Sequence, residues 1–432
     1  MSKISFVILF FLILSGCSLK DHTKIIKFKE RKVLNDNNPD KEKIQNNEIS
    51  KELNPELVLD FSQLLINDNF YDNKNNIGSQ NYDGDLDKIG EYKFSKFNKP
   101  RLINYEPIFL NDGLIFFDKK GTIIRFDKSQ KIVWKKNHYS KIEKKLKPKL
   151  LFAIKGQNLI VADNIAKYYS IDIKTGELNW IKNNFYPFNS SIKIHKDKFF
   201  IVDYKNTLRC YYILDGSECW NLQTDNSFAI SNIKYSINIL NDMIYFNNSI
   251  GDVTAVNIES GIIIWQLPTQ SSSIYNETFN FKISKLVSDG KSIYFSNNKS
   301  EFYSIDIKTG TTNWIKKINS TLKPINIDNL IFTISKKGHL FVIEKNNGNV
   351  LRKTDLYKNF KPKKREEIEP IGFVIGGKNL YLTNSNGTLI KSNIEKGNIL
   401  QIEKISKDKL SQPFIFNKNL FVIKNGSVLQ FN

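Results

Sequence analysis

Histidine and cysteine are scarce in this 432-residue chain, and their placement closes off most site chemistry. The four histidines, His22, His138, His195 and His339, are scattered with no metal-ligand spacing among them. Three cysteines are present, Cys17, Cys210 and Cys219, and no two are adjacent. No HExxH motif, phosphate loop or Ser/His/Asp constellation stands out, so no catalytic, metal or cofactor-binding residue is assigned and none is expected. Long apolar runs are missing too. The longest is the nine-residue stretch from Phe6 to Leu14, too short to cross a bilayer.

What that run does fit is the core of a signal peptide, with Lys3 as its positive flank. It ends in Leu14-Ser15-Gly16-Cys17, which resembles the lipobox of bacterial lipoproteins. The resemblance implies a signal at 1–16 and acyl chains on Cys17, which would anchor the chain at a membrane. Ser18 stands where an Asp would imply retention in the inner membrane, so the implied place is the periplasmic face of the outer membrane. Export would separate the chain from nucleic acid, so no nucleic-acid partner is expected. Charge is uneven: residues 18–88 hold eleven Lys/Arg against fourteen Asp/Glu, and 89–432 carry +22 of the chain's net +20. The Asn/Asp-rich stretch 17–88 reads as a lipidated flexible tether, with one apolar patch from Leu57 to Ile66 that a short helix or docking on the body would explain.

From residue 89 to the end a repeat sets the fold. Eight short runs rich in β-branched and aromatic residues recur, from Gly113-Leu-Ile-Phe-Phe-Asp118 and Asn158-Leu-Ile-Val-Ala-Asp163 to Asn419-Leu-Phe-Val-Ile-Lys424. Each is followed by a turn and a second run. Tyr169-Ser-Ile-Asp-Ile-Lys-Thr-Gly-Glu-Leu-Asn-Trp180 and Tyr303-Ser-Ile-Asp-Ile-Lys-Thr-Gly-Thr-Thr-Asn-Trp314 share one frame, which degrades at Gly348/Arg352 and Gly397/Gln401. In the first unit Trp134 survives and the glycine is lost. Positions 134, 180, 220, 265, 314, 352 and 401 lie 38 to 49 residues apart, the period of a four-stranded blade. The expected fold is all-β: an eight-bladed β-propeller of four-stranded antiparallel blades over 89–432.

Within the frame, the Asp before the turn (Asp127, Asp172, Asp306) holds backbone N–H groups, and Gly supplies the left-handed conformation. All five tryptophans, Trp134, Trp180, Trp220, Trp265 and Trp314, occupy the one position after it. A substrate-binding indole would occur once, so these are assigned to docking between blades. The last unit stops after its second strand, at Ser427-Val-Leu-Gln-Phe-Asn432. The alternating stretch Glu91-Tyr-Lys-Phe-Ser-Lys-Phe97 is expected to complete it, removing an exposed edge.

The Asp-x-x-Thr-Gly-x-x-x-Trp frame is that of pyrroloquinoline-quinone-type repeats, and a lipobox followed by eight such units resembles the BamB-type lipoproteins of the outer-membrane β-barrel assembly machinery. The resemblance implies a non-enzymatic scaffold, monomeric within a hetero-complex, that binds the barrel-inserting subunit. The alternative with the same repeats is a pyrroloquinoline-quinone-dependent dehydrogenase, or another periplasmic propeller that binds partners. The dehydrogenase resemblance would require a vicinal cysteine pair, which this chain lacks. Cys210 and Cys219 flank the turn at Leu214-Asp215-Gly216-Ser217, so they are expected either to bridge or to remain two buried thiols. Recognition is expected in loops. Three connections are long enough to project, 135–149, 266–281 and 355–370, and the basic first one, with Lys144, Lys145 and Lys147, is the candidate for an acidic partner.

Overall fold

Continuous apolar runs, where most antiparallel strands alternate, call for cover on both faces, and the computed structural model shows that cover. It describes residues 52–61, 78–97, 105–225, 234–269 and 282–432. The strands form eight four-stranded antiparallel sheets, the blades of a propeller. Blades 1 to 7 span 108–136, 150–183, 193–223, 237–267, 287–316, 325–355 and 370–404, each running in sequence order from the axis outward. In blade 2 the two middle strands, Asn158–Asp163 and Lys167–Asp172, are buried along nearly their whole length. The outermost, Leu178–Asn183, alternates between exposed and half-buried positions. Middle strands are sandwiched between neighbouring blades, whereas the rim faces water. Each fully buried Phe, such as Phe117, Phe199 or Phe295, contributes about 1.5–3 kcal/mol through apolar burial.

Blade 8 is closed as the unfinished repeat required. Strands Phe414–Phe416, Asn419–Lys424 and Ser427–Phe431 come from the C-terminus, and Lys88–Lys93 supplies the fourth, antiparallel to Ser427–Phe431 with Tyr92 opposite Val428. Tyr92 is buried and meets Phe126 of blade 1 at 5.6 Å between ring centroids. The clasp lies at 88–93, a few residues ahead of the stretch at 91–97.

Packed structure begins well before residue 89, which corrects the expectation of a flexible tether reaching 88. Leu53 exchanges two backbone hydrogen bonds of 3.0 Å with Lys353 on the rim of blade 6. Leu59 and Phe61 are buried against the core of blades 6 and 7. Farther on, Gln80 N–H donates to the Ile375 carbonyl at 2.9 Å, and Tyr82 packs on Tyr381 at 5.0 Å. A few apolar anchors and backbone pairing hold these segments despite a composition that reads as solvated. Residues 1–51, with Cys17 and the expected signal at 1–16, and the stretch 62–77 lie outside the described residues.

Candidate interaction surface

The repeat frame builds the joints between blades. Asp172 Oδ1 accepts from the N–H groups of Lys174 and Thr175, each at 2.8 Å, and from the Thr175 hydroxyl at 3.1 Å. This closes the turn so that Gly176, at φ +73, lies flat beneath the indole of Trp134 from the preceding blade. A β-carbon on Gly176 would stand 2.8 Å from that ring. Trp134 Nε1 donates to the Ile173 carbonyl of the same turn at 3.1 Å. The joint repeats with Trp180 on Gly216, Trp220 on Gly261, Trp265 on Gly310 and Trp314 on Gly348. Their indoles donate to the carbonyls of Ile213, Ile258, Ile307 and Lys345 at 2.8–3.2 Å. Between blades 6 and 7 the same position is taken by Arg352, whose guanidinium lies on Gly397 and donates to the Ile394 carbonyl.

At the seam between blades 8 and 1 the sizes are exchanged. Register puts Gly90 of the clasp at the tryptophan position, opposite Gln430, and Gln130 at the glycine position, where it adopts φ +67. A β-carbon on Gly90 would come within 2.9 Å of Gln430 Oε1 and 3.1 Å of Gln130 Nε2. Gln130 Oε1 accepts the Glu91 N–H at 3.2 Å. The glycine missing from the first repeat is thus matched by one in the clasp.

Of the two alternatives for the inner cysteines, the structure has free thiols. A β-bulge follows Cys210, so its cross-strand partner is Trp220 and Cys219 falls in the bulge, with the two thiols in contact. Burial, together with the neighbouring Cys219, holds the Cys210 thiol well above the usual range, and burial raises Cys219 as well. Thiolate is therefore scarce. Alkylation of native protein at neutral pH is expected to be slow, with both thiols reacting at once in denaturant. Rapid labelling of Cys210 in the folded state would contradict the burial.

Connections from the rim of one blade to the axis of the next all emerge on one face. The 135–149 loop is seated firmly there. Ser140 and Glu143 form a reciprocal capping box on the short helix Lys141–Lys145, and Glu143 pairs with Lys167. Tyr139, buried, donates its hydroxyl to Asp163 at 2.5 Å. Lys145 and Lys147 are exposed and Lys144 half-buried, with Ile142 (74% exposed) and Leu146 (59%) beside them. The next connection, between blades 2 and 3, projects Phe185 at 93% exposure. Sequence reading passed over Phe185; its signal was an aromatic in a polar loop, Asn183-Asn-Phe-Tyr-Pro187. Of the other two loops, 355–370 carries a short helix at Pro362–Glu367, and 270–281 lies outside the described residues. Among the described residues no three His, Cys, Asp or Glu side chains gather to hold a metal.

The model of the family described as outer membrane protein assembly factor BamB matches residues 119–354, more than half of the chain. No curated protein matches it. Among solved structures, BamB from Moraxella catarrhalis aligns with a TM-score of 0.63 at 15% identity, over 80% of this chain and 97% of that one. The computationally designed Ika8 protein aligns with 0.60 at 13%, over 79% and 99%. Quinohemoprotein alcohol dehydrogenase from Comamonas testosteroni aligns with 0.61 at 11%, over 82% and 78%. At these identities the structural likeness is one of fold.

Proposed function

The chain belongs to the outer membrane protein assembly factor BamB family, and from that premise we propose that it is a non-enzymatic scaffold of outer-membrane protein assembly. In this reading the leader 1–16 is removed, Cys17 carries the lipid, and the propeller stands at the periplasmic face of the outer membrane. There it binds the barrel-inserting subunit and assists folding and insertion of outer-membrane proteins. The observation that carries the reading is the rigidly seated 135–149 loop, which holds Lys144, Lys145 and Lys147 next to the exposed apolar side chains of Ile142 and Leu146, with Phe185 projecting from the next connection of that face. Exposed aromatic and aliphatic anchors ringed by charge mark protein-binding surfaces. The basic rim suits an acidic partner segment and would speed encounter with it.

Crosslinking in intact envelopes, followed by identification of what the anchored protein captures, tests the reading. Capture of the barrel-inserting subunit supports it. Capture of electron-transfer or peptidoglycan proteins in its place overturns it. Reversing Lys144, Lys145 and Lys147 to Glu together is expected to lower recovery of the partner by about tenfold or more, since like charges facing each other cost several kcal/mol. Undiminished recovery would remove this loop from the interface and leave the other connections of that face.

A further inference from the structure

Around the axis, the residue two places before the innermost strand is Glu106 in blade 1, Lys285 in blade 5, Lys323 in blade 6 and Gln412 in blade 8. Blades 1 and 5 are diametrically opposite, yet Lys285 Nζ pairs directly with Glu106 Oε1. Gln412 Nε2 donates to the same oxygen at 3.0 Å. Lys234, at the entry to blade 4, lies 3.6 Å over the ring of Tyr105 from blade 1. Contacts between opposite blades can form only across the axis, so these side chains meet in the central opening. The pair keeps some access to solvent: Glu106 is 44% and Lys285 34% exposed although both stand inside the ring.

Basic side chains dominate there. Lys149, Lys193, Lys234, Lys285 and Lys323 come from five consecutive blades, and Glu106 is the carboxylate that acts on both Lys234 and Lys323. Desolvation, with Lys285 and Lys149 nearby, holds Lys234 down to about 7. Desolvation together with Lys285 and Lys193 holds Lys323 well below the usual lysine range. Lys285 foremost keeps Glu106 ionised far below the usual carboxylate range. A cluster of ammonium groups that suppress one another's charge gains most from a ligand bringing several negative charges.

We propose that the axial opening binds a small multivalent oxyanion of the phosphate or polycarboxylate class, with the Glu106 carboxylate marking one of its oxygen positions. Glu106 shows how such a group is held: an ammonium from blade 5 and an amide from blade 8 converge on one oxygen. A ligand with two or three charges engages Lys234 and Lys323 as well and ties opposite sides of the ring together. The site is independent of the loop surface, so its failure leaves the scaffold reading untouched.

Calorimetric titration of the full chain with inorganic phosphate and, separately, with citrate at constant ionic strength tests this, and the stronger of the two identifies the ligand class. Saturable binding is expected. It should weaken by about tenfold or more in the double variant K234M/K323M, the scale of losing charge-assisted hydrogen bonds. Glu106→Gln keeps a hydrogen-bonding side chain while removing the internal negative charge, and is expected to tighten binding. Unfolding midpoints near that of the parent establish that both variants are folded. Absence of saturable binding to either anion, equal affinity in K234M/K323M, or weaker binding in E106Q overturns the proposal.

Discussion

Removal of residues 88–93 is expected to lower the thermal unfolding midpoint by more than about 10 °C, because the ring then has no fourth strand in its last blade. In a large domain 1 kcal/mol corresponds to roughly 2–4 °C, and each buried aromatic side chain contributes about 1.5–3 kcal/mol. The clasp positions Tyr92 against Phe126 and leads Phe94 onto Phe116 at 5.0 Å. Its loss also leaves the backbone groups of Ser427–Phe431 as an open edge. Scanning fluorimetry or circular dichroism reads the midpoint, and a value equal to that of the parent would mean that the ring does not depend on this strand. The clasp has an acid dependence as well. Glu91 is held at about 2, first by its hydrogen bond from Lys88 and then by Ser427 and Lys424. A depressed carboxyl stabilises the fold above its ordinary value of 4.5, and that contribution fades as pH falls from 4.5 towards 2. Glu91→Gln should flatten the profile of the midpoint in that window.

The propeller was readable because its middle strands are covered on both sides. Runs such as Leu159 to Ala162 and Phe199 to Val202 need apolar residues at every position, and they recur at blade spacing. The Gly and Trp of the frame were readable for a related reason: each has a separate steric or hydrogen-bonding task, so both survive at the five regular joints while the Asp and Thr of the turn vary. Reading stops where a joint is solved by a different residue. Nothing local shows that Arg352 does the work of an indole, or that Gly90 and Gln130 exchange sizes across 40 residues of chain. Docking of Leu59 and Phe61 was signalled by the apolar patch from Leu57 to Ile66, but the pairing at Leu53 and the segment 78–87 were hidden for another reason. Backbone pairing carries no side-chain signature, and Asn- and Asp-rich composition ordinarily marks solvated chain. Axial lysines spaced by whole blades are likewise invisible until closure brings opposite blades together.

Arg352 offers the sharpest separation between two jobs done by one side chain. It is fully buried, and its guanidinium donates to the carbonyls of Ile394 and Glu395 in the blade 7 turn at 2.5 Å each and to that of Leu57 at 2.8 Å. The first of these is the bond that the indoles make elsewhere; the last holds the docked N-terminal segment. Arg352→Ala removes both and leaves a hole over Gly397. About 3–5 kcal/mol of destabilisation is expected from the lost volume and the stranded carbonyls. Arg352→Trp restores the residue used at the five regular joints. One indole N–H can satisfy Ile394 but cannot fork to Leu57, so the joint should hold while residues 52–61 detach. Two measurements therefore separate the two jobs. Unfolding midpoints should fall strongly for R352A and little for R352W, whereas limited proteolysis ahead of residue 61 should accelerate in both. Protection of that segment in R352W at the parental level would show that Leu59 and Phe61 hold it without the arginine, and equal midpoints for R352A and the parent would show that the joint does not need it.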